Sequence, residues 1–217
     1  MQASWQKWIP LSGILFVVLF IIGFVLAVGP ETGTDQSDQE ILDWYAKSSH
    51  QTLAFAGAYL LALAGVAMLL FVNRLRAVVS EAEGARPVFA PFILGSGVVF
   101  VVSVAVAGAA FAAVAAGVKF GNEPLPANAD LMRFLPQLGY VLILILGMFP
   151  LIFAMLTTAY ASMRHKIFAS WFNWLTIVCG ILLLFAAAFF PMIALGVWLI
   201  AASIVLMKHQ PGTTAAA

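Results

Sequence analysis

The sequence predicts an all-α integral membrane bundle of six transmembrane helices, with both termini on the cytoplasmic side and short amphipathic helices in the outer loops. Three observations predict it. Hydrophobic residues make up 64% of the chain and charged residues only 9%, against about a quarter charged in soluble domains. Mean hydropathy is +1.06. The apolar residues fall in long uncharged runs separated by short charged loops. The ten-residue alternation of a membrane β-barrel is absent.

The clearest run is 91–117, which has no charged residue. As a helix it is roughly 40 Å long at about 1.5 Å per residue, more than the bilayer's hydrocarbon core of about 30 Å. Its second half places Ala105, Ala109, Ala113 and Gly117 at four-residue spacing. Lipid gives no hydrophobic drive for helix association, so small residues that let backbones approach are expected to form the packing seam. This span is therefore expected to be the central packing element.

The other spans follow in order. Trp5, Lys7 and Trp8 precede the first, 9–28; tryptophans suit the headgroup level. Its apolar run exceeds the h-region of a signal peptide, which predicts an uncleaved span. In the following loop, Ser37 and Glu40 fit a capping box, and Ile41, Trp44 and Tyr45 fall on one helical face. This predicts a short amphipathic helix lying on the membrane surface. The second span is 52–72, and 73–88 reads as a loop. In the loop 119–137, Asn128 is a candidate cap for a short helix with Leu131, Phe134 and Leu135 on one side, stopped by Pro136. The fourth span, 138–160, contains Gly147 and Pro150, a candidate hinge. The uncharged stretch 171–207 is too long for one span and is divided at Phe189, Phe190 and Pro191 into 171–188 and 191–207. Residues 1–210 thus form one domain, followed by a disordered tail, 211–217.

Charge sets the predicted orientation. Lys7, Arg74, Arg76, Arg86, Arg164, Lys166 and Lys208 fall on one side; Lys47, Lys119, Arg133 and most acids fall on the other. The basic side is cytoplasmic by the positive-inside rule.

Chemistry-bearing motifs are sparse. No ionisable residue lies within a predicted span, and His50, His165 and His209 lie in loops, at a span edge or in the tail. This argues against a haem held between helices, a proton pathway and a retinal Schiff base. There is no HExxH and no phosphate-binding glycine loop. No catalytic residue and no cofactor is assigned. The single cysteine, Cys179, is read as a buried packing residue. Three features stand as candidates. Asp35, Asp38, Glu40, Asp43 and His50 are weak candidate metal ligands. Gly147 and Pro150, with Tyr140, form a candidate hinge or cavity between the third, fourth and sixth spans. Tyr59, Gln137, Tyr160, Asn173 and Trp174 are polar groups at span ends.

The stretches EILDWYAKSSHQTLAFAGAYLLAL, FVNRLRAVVSEAEG and KIFASWFNWLTIVCGILLL resemble a broad group of uncharacterised, actinobacterial-type multi-pass inner-membrane proteins. The resemblance implies a bacterial inner-membrane location and no particular activity. The expected partners are membrane lipids and other membrane subunits or a second copy of the chain, not nucleic acid. An accessory or interaction role ranks first. A transporter or binding protein for a lipid or apolar small molecule follows, and an enzyme using the outer carboxylates Asp38, Glu40, Asp43 and Asp130 comes last.

Overall fold

A computed structural model describes residues 4–28, 37–126, 129–185 and 192–209, and these are helical apart from their connections. A 3-10 segment, Ser4–Leu11, leads into α1 (Ser12–Val28). Then come α2 (Asp38–Ala46), α3 (Ser48–Glu83), α4 (Phe89–Phe120) and α5 (Asp130–Val141). A π-helical turn, Leu142–Gly147, joins α5 to α6 (Met148–His165) without a break, and α7 (Ser170–Leu183) and α8 (Met192–Lys208) follow. Four helical stretches are long and apolar enough to cross a membrane: Trp8–Val28, Ser48–Glu83, Phe89–Phe120 and Asp130–His165. The last two helices are apolar but shorter. The predicted break at Phe189, Phe190 and Pro191, the Asn128 cap, Asp35 and the tail 211–217 lie outside the described residues.

The long helices form a closed circuit. α1 packs on α3, α3 on α4, α4 on α6, α6 on α7, α7 on α8, and α8 returns to α1. Neighbours run antiparallel: Gly23, late in α1, meets Gly57, early in α3, while Gly13, at the start of α1, meets Phe71. α4 also touches α1 and α5, and it is the most buried of the four long spans. Its predicted central role is thus realised, but through other residues. Ala105, Ala109 and Ala113 face outward and Gly117 is half-buried with open space around it. The face turned to the bundle carries Gly97, against the Val72 side chain, and Gly108, against Leu61. Two small-residue series run along this helix, and spacing alone does not distinguish the one that meets α3.

The tightest seam is between α1 and α3. A Cβ on Gly57 would lie 2.4 Å from the backbone nitrogen of Ala27 and 2.6 Å from the carbonyl oxygen of Gly23. Those are backbone atoms of the facing helix, so they yield only if the helices separate.

Other expectations are corrected. Residues 73–83, read as loop, continue α3 by three turns; Leu75, Val78 and Val79 keep the helical period and are buried. The 36-residue helix is about 54 Å long, so its last turns stand clear of a bilayer about 30 Å thick. Pro136 does not stop its helix but sits buried inside α5. It only withholds an N–H from the carbonyl of Met132. Leu131 and Phe134 of α5 face outward, while Met132 and Pro136 face in. At Pro150 the helix widens rather than breaks. In the turn before it, the Met148 amide donates to the carbonyl of Ile143, five residues back. A proline ring crowds the carbonyl four residues earlier, and a wide turn accommodates that.

Glu83 clamps the turn between α3 and α4. Its carboxylate accepts from the backbone amides of Val88, Phe89 and Ala90 at 2.8, 2.8 and 2.9 Å. These are donors that the start of α4 cannot satisfy internally. Gly84 makes the turn with φ 78°, the left-handed region that side chains disfavour. Pro91, in the first turn of α4, needs no donor there. Partial burial alone would raise the Glu83 pKa; the three amides, with the charge of His165, together outweigh it and hold the carboxyl below the usual range.

Two predictions follow from this packing. Gly57→Ala should destabilise the folded protein by about 1–3 kcal/mol, the usual cost of overpacking. Gly95→Ala, on α4 where nothing lies within 4 Å, should not lower the melting temperature in detergent and should raise it slightly, since alanine favours the helix. Glu83→Ala should cost about 1 kcal/mol at pH 7, the typical loss for a helix cap. Because the folded pKa is depressed, the wild-type advantage is present above the ordinary carboxylate pKa of about 4.3 and is lost as pH falls through the lower folded value. Melting curves of the two proteins from pH 7 to pH 3 check this, and they should converge at the acid end.

Candidate functional site

The closure of the circuit, between α1 and α8, leaves a groove. Its volume is about 390 Å³, and among the described residues its walls come from α1 and α8. Phe16, Phe20 and Phe24 recur every fourth residue and stack in a ladder, with ring centroids 5.3 and 5.7 Å apart. From α8 come Leu195, Leu199 and Gly196. The floor is buried: Phe16 is 2% exposed and Leu199 0%. The lips, Ile21, Val25, Ile193 and Val197, are exposed. Gly196 keeps the α8 wall low, since a Cβ there would meet only a Val17 methyl, at 3.8 Å. Every lining side chain is hydrocarbon or thioether. Such a surface discriminates by shape and apolarity, and its volume lies within the range of about 300–1,000 Å³ usual for small-molecule sites.

The sequence points to a cavity between the third, fourth and sixth spans, whereas the groove lies between the first and last. Tyr140 stands beside it, half-buried, its ring edge-on to Phe24 at 5.9 Å and to Phe111 at 5.5 Å. Gly147 lies in the π turn and packs on α4, where a Cβ would meet the Ser103 Cβ at 3.1 Å and the Phe100 ring at 3.2 Å. Pro150 is half-buried one turn further on. Tyr160 and Trp174 are exposed near the ends of their helices, as interfacial anchors would be, and Tyr59 is exposed three turns into α3.

Some polar groups inside the bundle are paired, while the Ser12 and Ser203 hydroxyls and Asn173 Oδ1 are buried with no partner among the described residues. The Trp198 indole donates to Thr176 Oγ1 at 3.0 Å, tying α8 to α7, and that hydroxyl donates to the Phe172 carbonyl at 2.8 Å. Thr158 and Ser103 bond back to the carbonyls of Ala154 and Val99 in their own helices. Cys179 is buried as expected.

The outer loops form a docked platform. The predicted capping box is present: Ser37 Oγ accepts from the Glu40 amide and Glu40 Oε2 accepts from the Ser37 amide. The apolar face of α2, however, does not lie on lipid. Ile41 and Tyr45 are fully buried against Ala54, Val114, Ala115, Ala129 and Met132, and this burial pushes the Tyr45 hydroxyl pKa up to about 12. The ends of α3, α4 and α5 supply an apolar floor that the helix covers. Asp38 pairs with Arg133 of α5. Lys119 at the end of α4 donates to the Ser48 carbonyl at 3.3 Å and to Thr52 Oγ1. The candidate ligands are thus held apart. Asp38 faces Arg133, Glu40 caps its helix, Asp43 accepts from Gln39, and His50 Nδ1 lies 3.1 Å from the Trp44 carbonyl. Among the described residues no three His, Cys, Asp or Glu side chains converge.

Sequence reasoning missed both the groove and the Glu83 clamp. The signals were present: a phenylalanine every fourth residue in the first span opposite a glycine in the last, and an acid followed by glycine shortly before a helix start. Compared with known protein families, with curated proteins and with solved structures, the chain matches none.

Proposed function

We propose that the chain is a six-span integral membrane protein, with both termini on the cytoplasmic side, that binds a lipid tail or an apolar small molecule in the groove between α1 and α8. The observation that carries this reading is the groove itself: a buried aromatic floor, exposed aliphatic lips and no polar side chain among the described lining residues. A ligand there would be held by dispersion and shape, consistent with spans that contain no ionisable side chain. The six-span topology is supported by the four long apolar helices, the two shorter apolar ones and the antiparallel alternation. The distribution of Arg and Lys supports the orientation.

A second reading, an accessory subunit or interaction protein of a bacterial inner-membrane assembly, is favoured by the outward-facing series Ala105, Ala109 and Ala113. This leaves a low surface on which another helix could lie closely. Native mass spectrometry from the protein's own membrane separates the two readings: a stoichiometric protein partner supports the second, and a lone chain with a retained lipid or small molecule supports the first.

Gly196→Leu should fill the groove without disturbing the fold, because nothing nearer than the Val17 methyl obstructs it. Photolabelling by a diazirine fatty acid should then fall several-fold at α1 and α8 with the melting temperature kept; unchanged labelling would remove the groove as the binding site. For topology, Cys179 is first replaced by alanine. Single cysteines at Glu123 and Lys208 should then react with an impermeant maleimide from the outside and only after lysis, respectively.

A further inference from the structure

A second pocket lies at the opposite end from α2, between the α3–α4 turn and the end of α6. It is lined by Glu83, Arg86, Val88, Phe89, Arg164 and His165 and has a volume of about 310 Å³. The geometry points to a site for the phosphate of an anionic phospholipid headgroup, with Arg86 and Arg164 as its ligands. The lipid assignment rests on the reading of the chain as membrane-spanning, but not on the groove.

Four observations combine. First, Arg86 and Arg164 come from segments far apart in the chain and line one cavity. A guanidinium presents a planar fork of donors that matches phosphate oxygens. Second, the only carboxylate in the lining, Glu83, is already committed to three backbone amides of α4. Among the described residues neither arginine has a carboxylate within ion-pair distance. The helix start is therefore occupied by the chain's own acid, and the arginines are left for an external anion. Third, the pocket keeps an excess of positive charge before His165 is counted, and Lys166 follows directly in sequence. Fourth, one wall is apolar. Val88 and Phe89 line it, and the Phe89 ring is edge-on to Tyr160 at 5.4 Å. Tyr160 is exposed near the end of its span, where aromatic side chains mark the headgroup level. A free phosphate would use only the cations. A phospholipid would use both walls, phosphate on the arginines and glycerol with the first acyl carbons along Val88 and Phe89, as basic pockets at membrane boundaries do for acidic lipids.

The test uses the full-length protein in mild detergent, titrated with phosphatidylglycerol or phosphatidylcholine of identical acyl chains and observed by native mass spectrometry. Wild type should retain phosphatidylglycerol several-fold over phosphatidylcholine. Arg86→Gln and Arg164→Gln should each weaken that preference, and the double variant should reduce it about tenfold, with melting temperatures unchanged. Lys208→Gln, a basic residue on the same side but outside the pocket, should leave it intact. A folded double variant that keeps the preference overturns the proposal, as does an equal loss in Lys208→Gln, which would mean diffuse surface charge. Displacement of phosphatidylglycerol by millimolar inorganic phosphate would reassign the site to soluble phosphate and overturn the lipid source.

Discussion

The structure depends on how closely two backbones can approach where α1 crosses α3. In lipid, apolar surface gains nothing by leaving the solvent, because the solvent is itself apolar. Helices associate through contact quality and interhelical hydrogen bonds. At the Gly23–Gly57 crossing the facing groups are main-chain atoms, with a hypothetical Cβ only 2.4 Å from the opposite nitrogen. That approach fixes the register of α1 on α3. At the other end of the same pair, Gly13 sits under the Phe71 ring. With α3 placed, Val72 and Leu61 meet Gly97 and Gly108 of α4. The two most extensive helix pairs, α1–α3 and α3–α4, thus form one series, each helix located by a glycine gap at the crossing.

The four long apolar helices were legible in the sequence because a run of uncharged residues of that length has few alternatives to a membrane helix. Where the bilayer stops, legibility falls. Residues 73–83 of α3 carry Arg, Glu and Ser and read as a loop, yet Leu75, Val78 and Val79 continue the buried face. α2 was found through its capping box, but its apolar face was assigned to lipid, because a sequence does not reveal that the ends of α3, α4 and α5 meet beneath it. The alanine stripe was misassigned for a related reason. On a helix as rich in Ala, Gly and Val as α4, small residues occur on every face, and only the partner's side chains select one. Pro136 and Pro150 illustrate the remaining ambiguity. Both lie inside one continuous helix, the first accommodated as a buried apolar ring and the second following a π turn.

The two ends of the bundle are closed by different means. At the α2 end, burial of Ile41 and Tyr45 is reinforced by cross-links between elements: Asp38 to Arg133, and Lys119 to Ser48 and Thr52. Opposite charges there find one another within the chain. At the other end, Glu83 faces inward onto main-chain amides rather than outward onto a basic side chain. The arginines around it therefore remain uncompensated. His209, packed on the Phe168 ring and close to Arg74, is held below the ordinary histidine pKa by burial first and by that arginine second, with Glu81 opposing. It adds little positive charge near neutral pH. The basic character of this end rests on its arginines and lysines.

This division bears on what the molecule can bind. The Ser103, Thr158 and Thr176 hydroxyls bond back to their own helices and the Trp198–Thr176 pair joins α8 to α7, while the Ser12 and Ser203 hydroxyls stay buried without a partner among the described residues. The described lining of the α1–α8 groove carries no charged side chain, so a ligand there would have to be apolar. The groove reaches from Phe16 to Val25 on α1 and from Met192 to Ile200 on α8, toward the end where α2 docks. The arginine pocket lies at the far end, where α3 and α6 finish and α4 begins. Because α1 and α3 run antiparallel, the two sites lean toward opposite ends of the bundle. One lipid molecule reaches only to the middle of the bilayer, so one does not fill both sites. If both are occupied, the tail in the groove and the headgroup on the arginines belong to different molecules. The two sites are therefore separable by substitution, and an apolar ligand in the groove need carry no phosphate.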